Sequence, residues 1–490
     1  MLSAAIPAES HDRLVAHLRR KDGQEDLCFA LYRLSTGGER TTILLGEIVL
    51  PKEGERNVHG NVAFTSSYFL RAADLASEAD AGLALLHSHP LGRGWQDLSR
   101  DDVAAEQGHA AQTLALTGLP LVGLTMSGHD LAWSARRWIH TDDGARREDC
   151  MSVRVVGDAL AITHHPRGAV APTVSARQVR TVSAWGEAVQ VDIARLRVGV
   201  VGLGSVGSVV AEALGRMGVG HIKLIDFDSV KEHNLDRILH AGADDASTST
   251  SKVQVARRAL ERSSTHPVPV LDALELSVCE SAGWEAALDC DVLFSCVDRP
   301  WPRHTLNLAA YAHLIPVIDG GIRARAGQDG RMVAADWRAH VAAPGRRCLQ
   351  CVGQYEASGV TMEREGLLDD PAYIDSLPDD HPLRARENVF AFGLSAASFE
   401  VLQLIAMVAA PLGVFDLGGQ MYHAVTGTLS IDGRGCESGC LYSGELLGAG
   451  DAAPTLISTH SAAGHERSVR QASQEAQLRV SDTSSSPPAG

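Results

Sequence analysis

Arg197-Val-Gly-Val-Val-Gly202-Leu-Gly-Ser-Val-Gly207 is the stretch of sequence that decides the fold. Residues 198–201 are an apolar run that predicts a buried strand, and residues 208–217 have helical composition without proline. Between them, Gly202, Gly204 and Gly207 form a Gly-x-Gly-x-x-Gly turn. Glycine lets the backbone approach a ligand closely, and the free N–H groups at a helix N-terminus attract phosphate. The stretch predicts a nucleotide-binding unit, but alone it does not say which nucleotide binds.

Length and composition limit the classes of protein that this chain can represent. At 490 residues it is longer than one ordinary domain, and its 45% of hydrophobic residues allow sizeable cores. A formal net charge of −16 argues against nucleic acid as the main partner. The sequence shows no signal peptide and no apolar run near the roughly 20 residues that span a bilayer. We therefore expect a cytoplasmic protein without a membrane partner.

Four segments with different patterns follow one another along the chain. Residues 1–150 contain several strand-like runs and are expected to form an α/β unit, and residues 151–184 are expected to be a linker. Residues 185–447 alternate strands and helices, which predicts a doubly wound, Rossmann-like, mostly parallel sheet. Its strand candidates are 197–201, 221–226, 268–272, 291–296 and 315–319. Residues 448–490 are rich in Ser, Ala, Gly, Gln and Pro, which predicts a disordered tail.

Two histidines in the first segment have the spacing of a metal site. An apolar run ends in His87-Ser-His89-Pro. Side chains at positions i and i+2 of a strand point to the same side, so both imidazoles can bind one metal ion. Downstream, Asp101 or Asp102 supplies a third ligand and leaves the fourth position for water, which is the arrangement of catalytic zinc.

Such a site also needs a base that accepts the proton of the bound water. Glu25, just before an apolar run, is the candidate, and Asp26 and Glu47 are its rivals. In chain order, Glu25, His87-x-His89-Pro and Ser99-x-x-Asp102 resemble the JAMM (MPN-plus) metalloprotease family over about residues 20–135. The resemblance implies zinc bound by His87, His89 and Asp102, with Glu25 as base and Ser99 supporting the oxyanion. The gap before Ser99 is longer than the usual spacing, which leaves Asp101 open as the ligand.

The residues that follow the glycine turn suit a nucleoside triphosphate. Asp226 and Asp228 end the second strand, where an acidic residue usually contacts ribose. Arg237 and Lys252 are cations that suit the β- and γ-phosphates, although Lys252 lies in a Ser- and Thr-rich stretch and is alternatively a solvated loop residue. Asp298 ends another strand and is a candidate ligand for Mg²⁺. This set favours nucleotidyl transfer over the rival interpretation, an NAD-dependent dehydrogenase.

The order of these motifs resembles the ThiF/MoeB and ubiquitin-activating enzyme superfamily over about residues 175–445. The resemblance implies that Mg-ATP adenylates the C-terminal glycine of a ubiquitin-like or sulfur-carrier protein. It also implies a homodimer, because Arg177 would reach the nucleotide site of the other subunit. It assigns the nucleotide to Gly202, Gly204, Gly207, Asp226 and Asp228, the phosphates to Asn234, Arg237 and Lys252, and Mg²⁺ to Asp298.

Four of the nine cysteines form two short pairs, Cys348 with Cys351 and Cys436 with Cys440. Four thiolates at such spacing suit a closed structural zinc site, and the alternative is a redox pair or unpaired thiols. The same superfamily has a Cys₄ zinc at this place. Residues 352–435 contain no cysteine. We therefore expect adenylation without a thioester on that segment, followed by transfer to a sulfur donor or a conjugating enzyme.

Together these patterns predict a JAMM-type zinc peptidase fused to a ThiF-like adenylyltransferase. One unit would activate the C-terminal glycine of a ubiquitin-like protein, and the other would cleave peptide or isopeptide bonds at that end. The first alternative is activation and trimming of a sulfur carrier for cofactor synthesis. The second is an activating enzyme whose peptidase-like unit is inactive and serves as a binding scaffold.

Overall fold

The computed structural model describes residues 1–59, 61–142, 144–168, 174–327, 329–376 and 388–484. Within these residues the chain forms two large sheets with helices packed against them. This confirms the α/β class that the sequence predicts.

The first unit is built from residues 2–164. Its strands are β1 (Leu2–Pro7), β2 (Leu27–Thr36), β3 (Thr41–Val49), β4 (Arg56–His59), β5 (Asn61–Phe64), β6 (Gly82–His89), β7 (Val122–Ser127), β8 (Trp133–Thr141), β9 (Gly144–Asp149), β10 (Ser152–Val156) and β11 (Leu160–His164). Its helices are α1 (Ala8–Leu18), α2 (Ser66–Glu78) and α3 (Arg100–Thr117). Among the described residues, β4 pairs only with β5, and the other strands form one sheet in the order β11-β10-β1-β3-β2-β6-β7-β8-β9.

The second unit follows. Its strands are β12 (Arg197–Val201), β13 (His221–Ile225), β14 (Val270–Leu274), β15 (Val292–Ser295), β16 (Val317–Ala326), β17 (Met332–Ala342), β18 (Gly419–His423) and β19 (Thr428–Asp432). Its helices are α4 (Val179–Arg195), α5 (Gly207–Met217), α6 (Ala243–Ser247), α7 (Lys252–Ser263), α8 (Ser281–Leu288), α9 (Pro300–Ala312), α10 (Ala357–Arg364), α11 (Pro371–Ser376), α12 (Phe390–Ala409) and α13 (Ser461–Ser484).

The strand order of the second sheet is β14-β13-β12-β15-β16-β17-β18-β19. The first five strands are parallel, and β17, β18 and β19 continue the sheet antiparallel. The chain runs outward from β12 in both directions, so the loops on either side of β12 separate at its carboxyl end. Ligands of doubly wound sheets bind at such a point.

The structure differs from the sequence prediction in the expected linker. Strands β10 and β11 pair with each other, and β10 lies parallel to β1, with Val153 opposite Ala4. Residues 152–164 therefore belong to the first sheet and not to a linker. The sequence could not show this, because the partner strand lies at the other end of the unit. Residues 169–173 of the expected linker lie outside the described residues.

The predicted disordered tail is also wrong for most of its length. Residues 461–484 form α13, and the buried side chains of this helix pack on the second unit. Ala463 is fully buried, and His460, Glu466 and Arg470 are nearly so. The average composition of the tail conceals these few side chains, which bind the unit through specific contacts. Residues 485–490 lie outside the described residues.

Helix α12 is long and apolar enough to span a membrane by length and composition, with a mean hydropathy of 1.7. The sequence analysis, which found no apolar run of this length, did not identify this helix. Half of its most apolar window is buried in the protein, and the helix packs against β16, β17 and α5. Its Glu400 is fully buried. A buried core helix passes the same test, so α12 is weak evidence for a membrane span.

A buried ion cluster joins the two units. Asp291, just before β15, accepts hydrogen bonds from Arg40 at 2.6 Å and from Arg154 at 2.8 Å, both in the first unit. Its second oxygen accepts from the backbone N–H of Arg197 at 3.0 Å. Burial alone would raise the pKa of Asp291, but the guanidinium groups of Arg40 and Arg154 hold it well below its usual value. Asp289 adds to the cluster by accepting from the N–H groups of residues 39 and 40. The two units are therefore one packed body.

We predict that Asp291→Asn destabilises the protein by about 3–5 kcal/mol, because two buried guanidinium charges lose their counter-charge. Urea denaturation followed by circular dichroism measures the change. Glu261→Gln, which removes an exposed ion pair with Arg257, is the matched control and should cost less than about 1 kcal/mol. Equal stability of the two variants would contradict the role given to Asp291.

Candidate functional site

The glycine turn connects β12 to α5 in a conformation that only small residues permit. Gly202 has a φ of +89°. A Cβ at Gly207 would overlap the carbonyl oxygen of Gly202, so the helix starts directly against the turn. At Gly204, in contrast, a Cβ would meet no atom of the described residues within 4 Å, and this residue lines a large cavity. The turn therefore leaves open space in front of the N-terminus of α5, where backbone N–H groups attract phosphate.

Asp226 and Asp228 follow β13 at the same edge of the sheet. Asp226 is nearly buried and accepts hydrogen bonds from the N–H groups of Leu203, at 2.6 Å, and Asp228, at 2.8 Å. Burial raises the pKa of Asp226, although Lys252 opposes this effect. Asp228 accepts a hydrogen bond from Lys252 Nζ at 2.6 Å. Asp226 thus fixes the turn, and Asp228 presents a charge to the cavity.

Lys252 is held at the cavity by charge and not left in a solvated loop. It begins α7, and its side chain is largely buried. Burial lowers the pKa of Lys252, but the carboxylates of Asp226 and Asp228 more than offset this and raise it above its usual value. The ammonium group therefore stays charged, as a phosphate ligand requires.

One cavity of 1470 Å³ is lined by most of the predicted nucleotide residues of the second unit. Its lining includes Gly202, Gly204, Asp226, Asp228, Asn234, Arg237, Lys252 and Asp298. Asn234 accepts from the N–H of Lys231 at 3.1 Å, and Arg237 donates to its neighbour Asp236 at 2.9 Å. Asp298 is exposed on the segment that follows β15. Residues separated by up to 96 positions in the sequence, from Gly202 to Asp298, therefore meet at one site.

Two predicted nucleotide residues are absent from the cavity lining, Gly207, which packs against Gly202 behind the turn, and Arg177. Arg177 is exposed on a 3₁₀ turn formed by Ala176–Gln178. A role at the nucleotide would therefore require a second copy of the chain.

The cavity also contains an arginine cluster that the sequence analysis missed. Arg303 and Arg338 pair with the fully buried Asp319 at 3.1 Å and 3.3 Å, and both arginines line the cavity. Beside them Gly320 and Gly321 leave the surface of β16 without side chains. The sequence signal that was available is the Gly-Gly pair directly after the predicted strand 315–319. The two arginines lie on separate elements, so no local pattern in the sequence reveals that they meet.

The predicted zinc ligands of the first unit meet at the end of β6. His87 Nε2 and His89 Nε2 are 3.2 Å apart. Asp102 Oδ1 lies 3.7 Å from His87 Nε2, and Oδ2 lies 3.5 Å from His89 Nε2. Ligand atoms of all three lie within 4.8 Å of one another, which fits a single metal ion. Asp102, and not the exposed Asp101, is the acid in this cluster.

The electrostatics of this cluster suit metal binding. Burial, with a contribution from Arg136, lowers the pKa of His87 to about 4, so its imidazole is neutral and able to bind a metal ion at neutral pH. Burial raises the pKa of Asp102, but hydrogen bonds from His89 and Ser99 outweigh this effect and bring the pKa below its usual value. The Asp102 carboxylate, the predicted third ligand, is therefore an anion.

Ser99 positions Asp102 through a reciprocal cap at the start of α3. The Ser99 hydroxyl accepts from the N–H of Asp102 at 3.1 Å, and the Asp102 carboxylate accepts from the N–H of Ser99 at 2.9 Å. The sequence analysis expected Ser99 to support the oxyanion. It did not anticipate the structural role of Ser99 as the cap of α3.

Glu25 and its two rivals differ in their surroundings. Glu25 is close enough to His89 and Asp102 to feel their charges, and burial raises its pKa. Asp26 is buried in ion pairs with Arg20 and Arg56, and Glu47 is exposed on β3. Of the three candidates, Glu25 is therefore the carboxylate available for proton transfer.

The four paired cysteines form a second cluster with metal-ligand geometry. Their sulfur atoms lie within 4.8 Å of one another. Cys348 Sγ is 3.7 Å from Cys440 Sγ, and the N–H of Cys348 donates to Cys436 Sγ at 3.1 Å. The hydrogen bond with Cys348 lowers the pKa of Cys436. Four converging thiols with backbone donors suit a closed zinc site.

Comparison with known proteins finds relatives of the second unit. Residues 175–408 match the ThiF family. The molybdopterin-synthase adenylyltransferase of Escherichia coli (strain K12) is 35% identical over 179 residues, which are 35% of this chain and 65% of that protein. The ubiquitin-like modifier-activating enzyme 5 of Drosophila willistoni is 33% identical over 144 residues, 27% of this chain and 35% of that protein. The adenylyltransferase and sulfurtransferase UBA4 of Yarrowia lipolytica (strain CLIB 122 / E 150) is 32% identical over 148 residues, 30% of this chain and 36% of that protein.

The chain spans less than two thirds of the length of each of these relatives. Residues 175–408 therefore resemble ThiF-family adenylyltransferases, as the sequence analysis predicts. The family match begins at residue 175, so the function of the first unit has to be inferred from the residues of that unit.

Proposed function

We propose that the second unit uses Mg-ATP to adenylate the C-terminal glycine of a ubiquitin-like or sulfur-carrier protein. The observation that carries this proposal is the single cavity in which the glycine turn, Lys252 and Asp298 meet. A hydride-transfer site needs the turn and an acid for ribose, but it has no use for a buried cation and a further carboxylate. The matched relatives include a molybdopterin-synthase adenylyltransferase and a ubiquitin-like modifier-activating enzyme, so the proposal covers both kinds of carrier protein.

The chemistry follows from the charges around the cavity. The N-terminus of α5 binds phosphate, and Lys252 and Arg237 neutralise the β- and γ-phosphates as pyrophosphate leaves. Asp298 would hold Mg²⁺, which supplies further positive charge to the phosphates. The carboxylate oxygen of the carrier then attacks the α-phosphate, and an acyl-adenylate and pyrophosphate form. Arg177, exposed on one subunit, would serve the cavity of the other subunit in a homodimer.

Pyrophosphate exchange into ATP tests the adenylation. With a suitable carrier tail, we predict that Asp298→Ala and Lys252→Met each lower the exchange rate at least about 100-fold, because each removes a charge that balances the phosphates. The control Glu261→Gln, on an exposed part of α7, should exchange at the unmodified rate. Exchange that survives in Asp298→Ala, or no exchange with any carrier tail, would contradict the proposal.

We further propose that the first unit hydrolyses peptide or isopeptide bonds at the C-terminus of the same carrier. The cluster of His87, His89 and Asp102, with ligand atoms within 4.8 Å, supports this proposal. A zinc ion held there would activate water for attack on a carbonyl. Glu25, with its raised pKa, accepts the proton of the water and passes it to the leaving amine.

Zinc content and cleavage of a carrier fused at its C-terminus to a reporter test this second proposal. Glu25→Gln should keep the zinc of the unmodified protein but lose at least about 100-fold in cleavage rate, because only the base is removed. His87→Ala should lose one zinc per chain together with cleavage, while the four-cysteine zinc remains. Glu47→Gln, on the exposed side of β3, is the control and should cleave normally. Cleavage that persists in His87→Ala would exclude the histidine cluster as the site of cleavage, and zinc binding without any cleavage would favour the binding scaffold.

A further inference from the structure

The C-terminal segment 458–470 packs against the loops that follow β13 and β14. His460 Nδ1 and Ser277 Oγ form a hydrogen bond of 2.7 Å. The imidazole ring meets the rings of Phe227 and Trp301 edge-on, with both centroids at 5.0 Å. This segment is thus built into the core beside the cavity and does not lie loosely on the surface.

Two arginines of α13 anchor the segment further. Arg467 forms two hydrogen bonds with Glu280, at 2.7 and 2.9 Å. Arg470 donates to the carbonyl oxygen of Phe227 and, at 3.3 Å, to Ser229 Oγ. Arg470 therefore binds the loop that carries Asp226 and Asp228, and it couples the C-terminal segment to the nucleotide residues.

The segment lies at the nucleoside end of the cavity. In a doubly wound sheet the phosphates bind at the glycine turn after the first strand, and the ribose binds at the acid after the second. The nucleoside then extends toward the third strand, here β14 and residues 276–278 behind it. His460, His465 and Glu466 line this part of the cavity, yet its 1470 Å³ still exceed the roughly 300–1,000 Å³ of usual small-molecule sites. The segment forms a wall and does not fill the site.

Glu466 on this wall has one carboxylate oxygen without a hydrogen-bond partner among the described residues. Its side chain is 9% exposed, and Oε1 pairs with Lys231. Oε2 is buried and makes no hydrogen bond to any described residue. A buried carboxylate oxygen without a donor is costly, and an ionised carboxylate can only accept. A ligand that offers an O–H or N–H group at this point would remove the cost.

We propose that Glu466 Oε2 accepts a hydrogen bond from the nucleoside of ATP, either from a ribose hydroxyl or from the adenine amino group. The C-terminal segment is then part of the nucleotide site, and Glu466 determines which nucleoside binds. This inference rests on the proposed adenylation site and adds to it a specificity residue outside the ThiF-family match, which ends at residue 408.

Isothermal titration calorimetry tests the inference without any carrier protein. ATP, 2′-deoxy-ATP, 3′-deoxy-ATP and purine riboside triphosphate, which has hydrogen in place of the amino group, are titrated into the unmodified protein and into Glu466→Ala. Loss of a hydrogen bond to a charged group should weaken ATP binding about tenfold or more in Glu466→Ala. The analogue that lacks the recognised donor should bind both proteins alike, and so identify the ribose hydroxyl or the amino group. Glu466→Gln, which keeps the size of the side chain, repeats the test with a smaller loss.

Arg467→Gln is the matched control, because it removes an ion pair of the same helix without changing the cavity lining. It should lower the melting temperature but leave the preference among the four nucleotides unchanged. Unaltered preference in Glu466→Ala would overturn this inference while the adenylation proposal stands. No ATP binding by the unmodified protein would overturn both.

Discussion

The contact of Gly202 with Gly207 is the constraint on which the rest of the second unit depends. No side chain fits at Gly207, and the positive φ of Gly202 turns the chain sharply from β12 into α5. Asp226 then closes the turn from the neighbouring strand by accepting from the N–H of Leu203. A strand, a turn and a helix N-terminus are thereby held in one geometry that leaves space for phosphate. The charged residues of the cavity are arranged around this point.

The two units act as one body because buried charges are paired across their junction. Asp291 accepts hydrogen bonds from Arg40 and Arg154 of the first unit. It also accepts one from the backbone N–H of Arg197, the first residue of β12. The strand that leads to the glycine turn is therefore tied directly to the unit that holds the histidine cluster. A junction of this kind would hold the two proposed sites at fixed positions, between which one flexible protein tail would move.

The elements with local sequence signals were predictable, and those formed by distant residues were not. The bounds of β12 match the prediction from its apolar run, and the His-x-His and cysteine pairs converge as their spacing indicates. Membership of β10 and β11 in the first sheet depends on pairing with β1, which no local pattern reveals. The cavity wall at Glu466 was predicted as a disordered tail, because composition averages over residues and burial depends on individual contacts.

Structure determination with Mg²⁺ and a nonhydrolysable ATP analogue tests the central claim most directly. We predict the triphosphate in front of the N-terminus of α5, with its oxygens on the N–H groups of residues 203–207. We also predict Mg²⁺ at Asp298 and the nucleoside between residues 276–278 and Glu466. A nucleotide bound elsewhere, or bound in this cavity with its phosphates away from the glycine turn and Asp298, would contradict the claim.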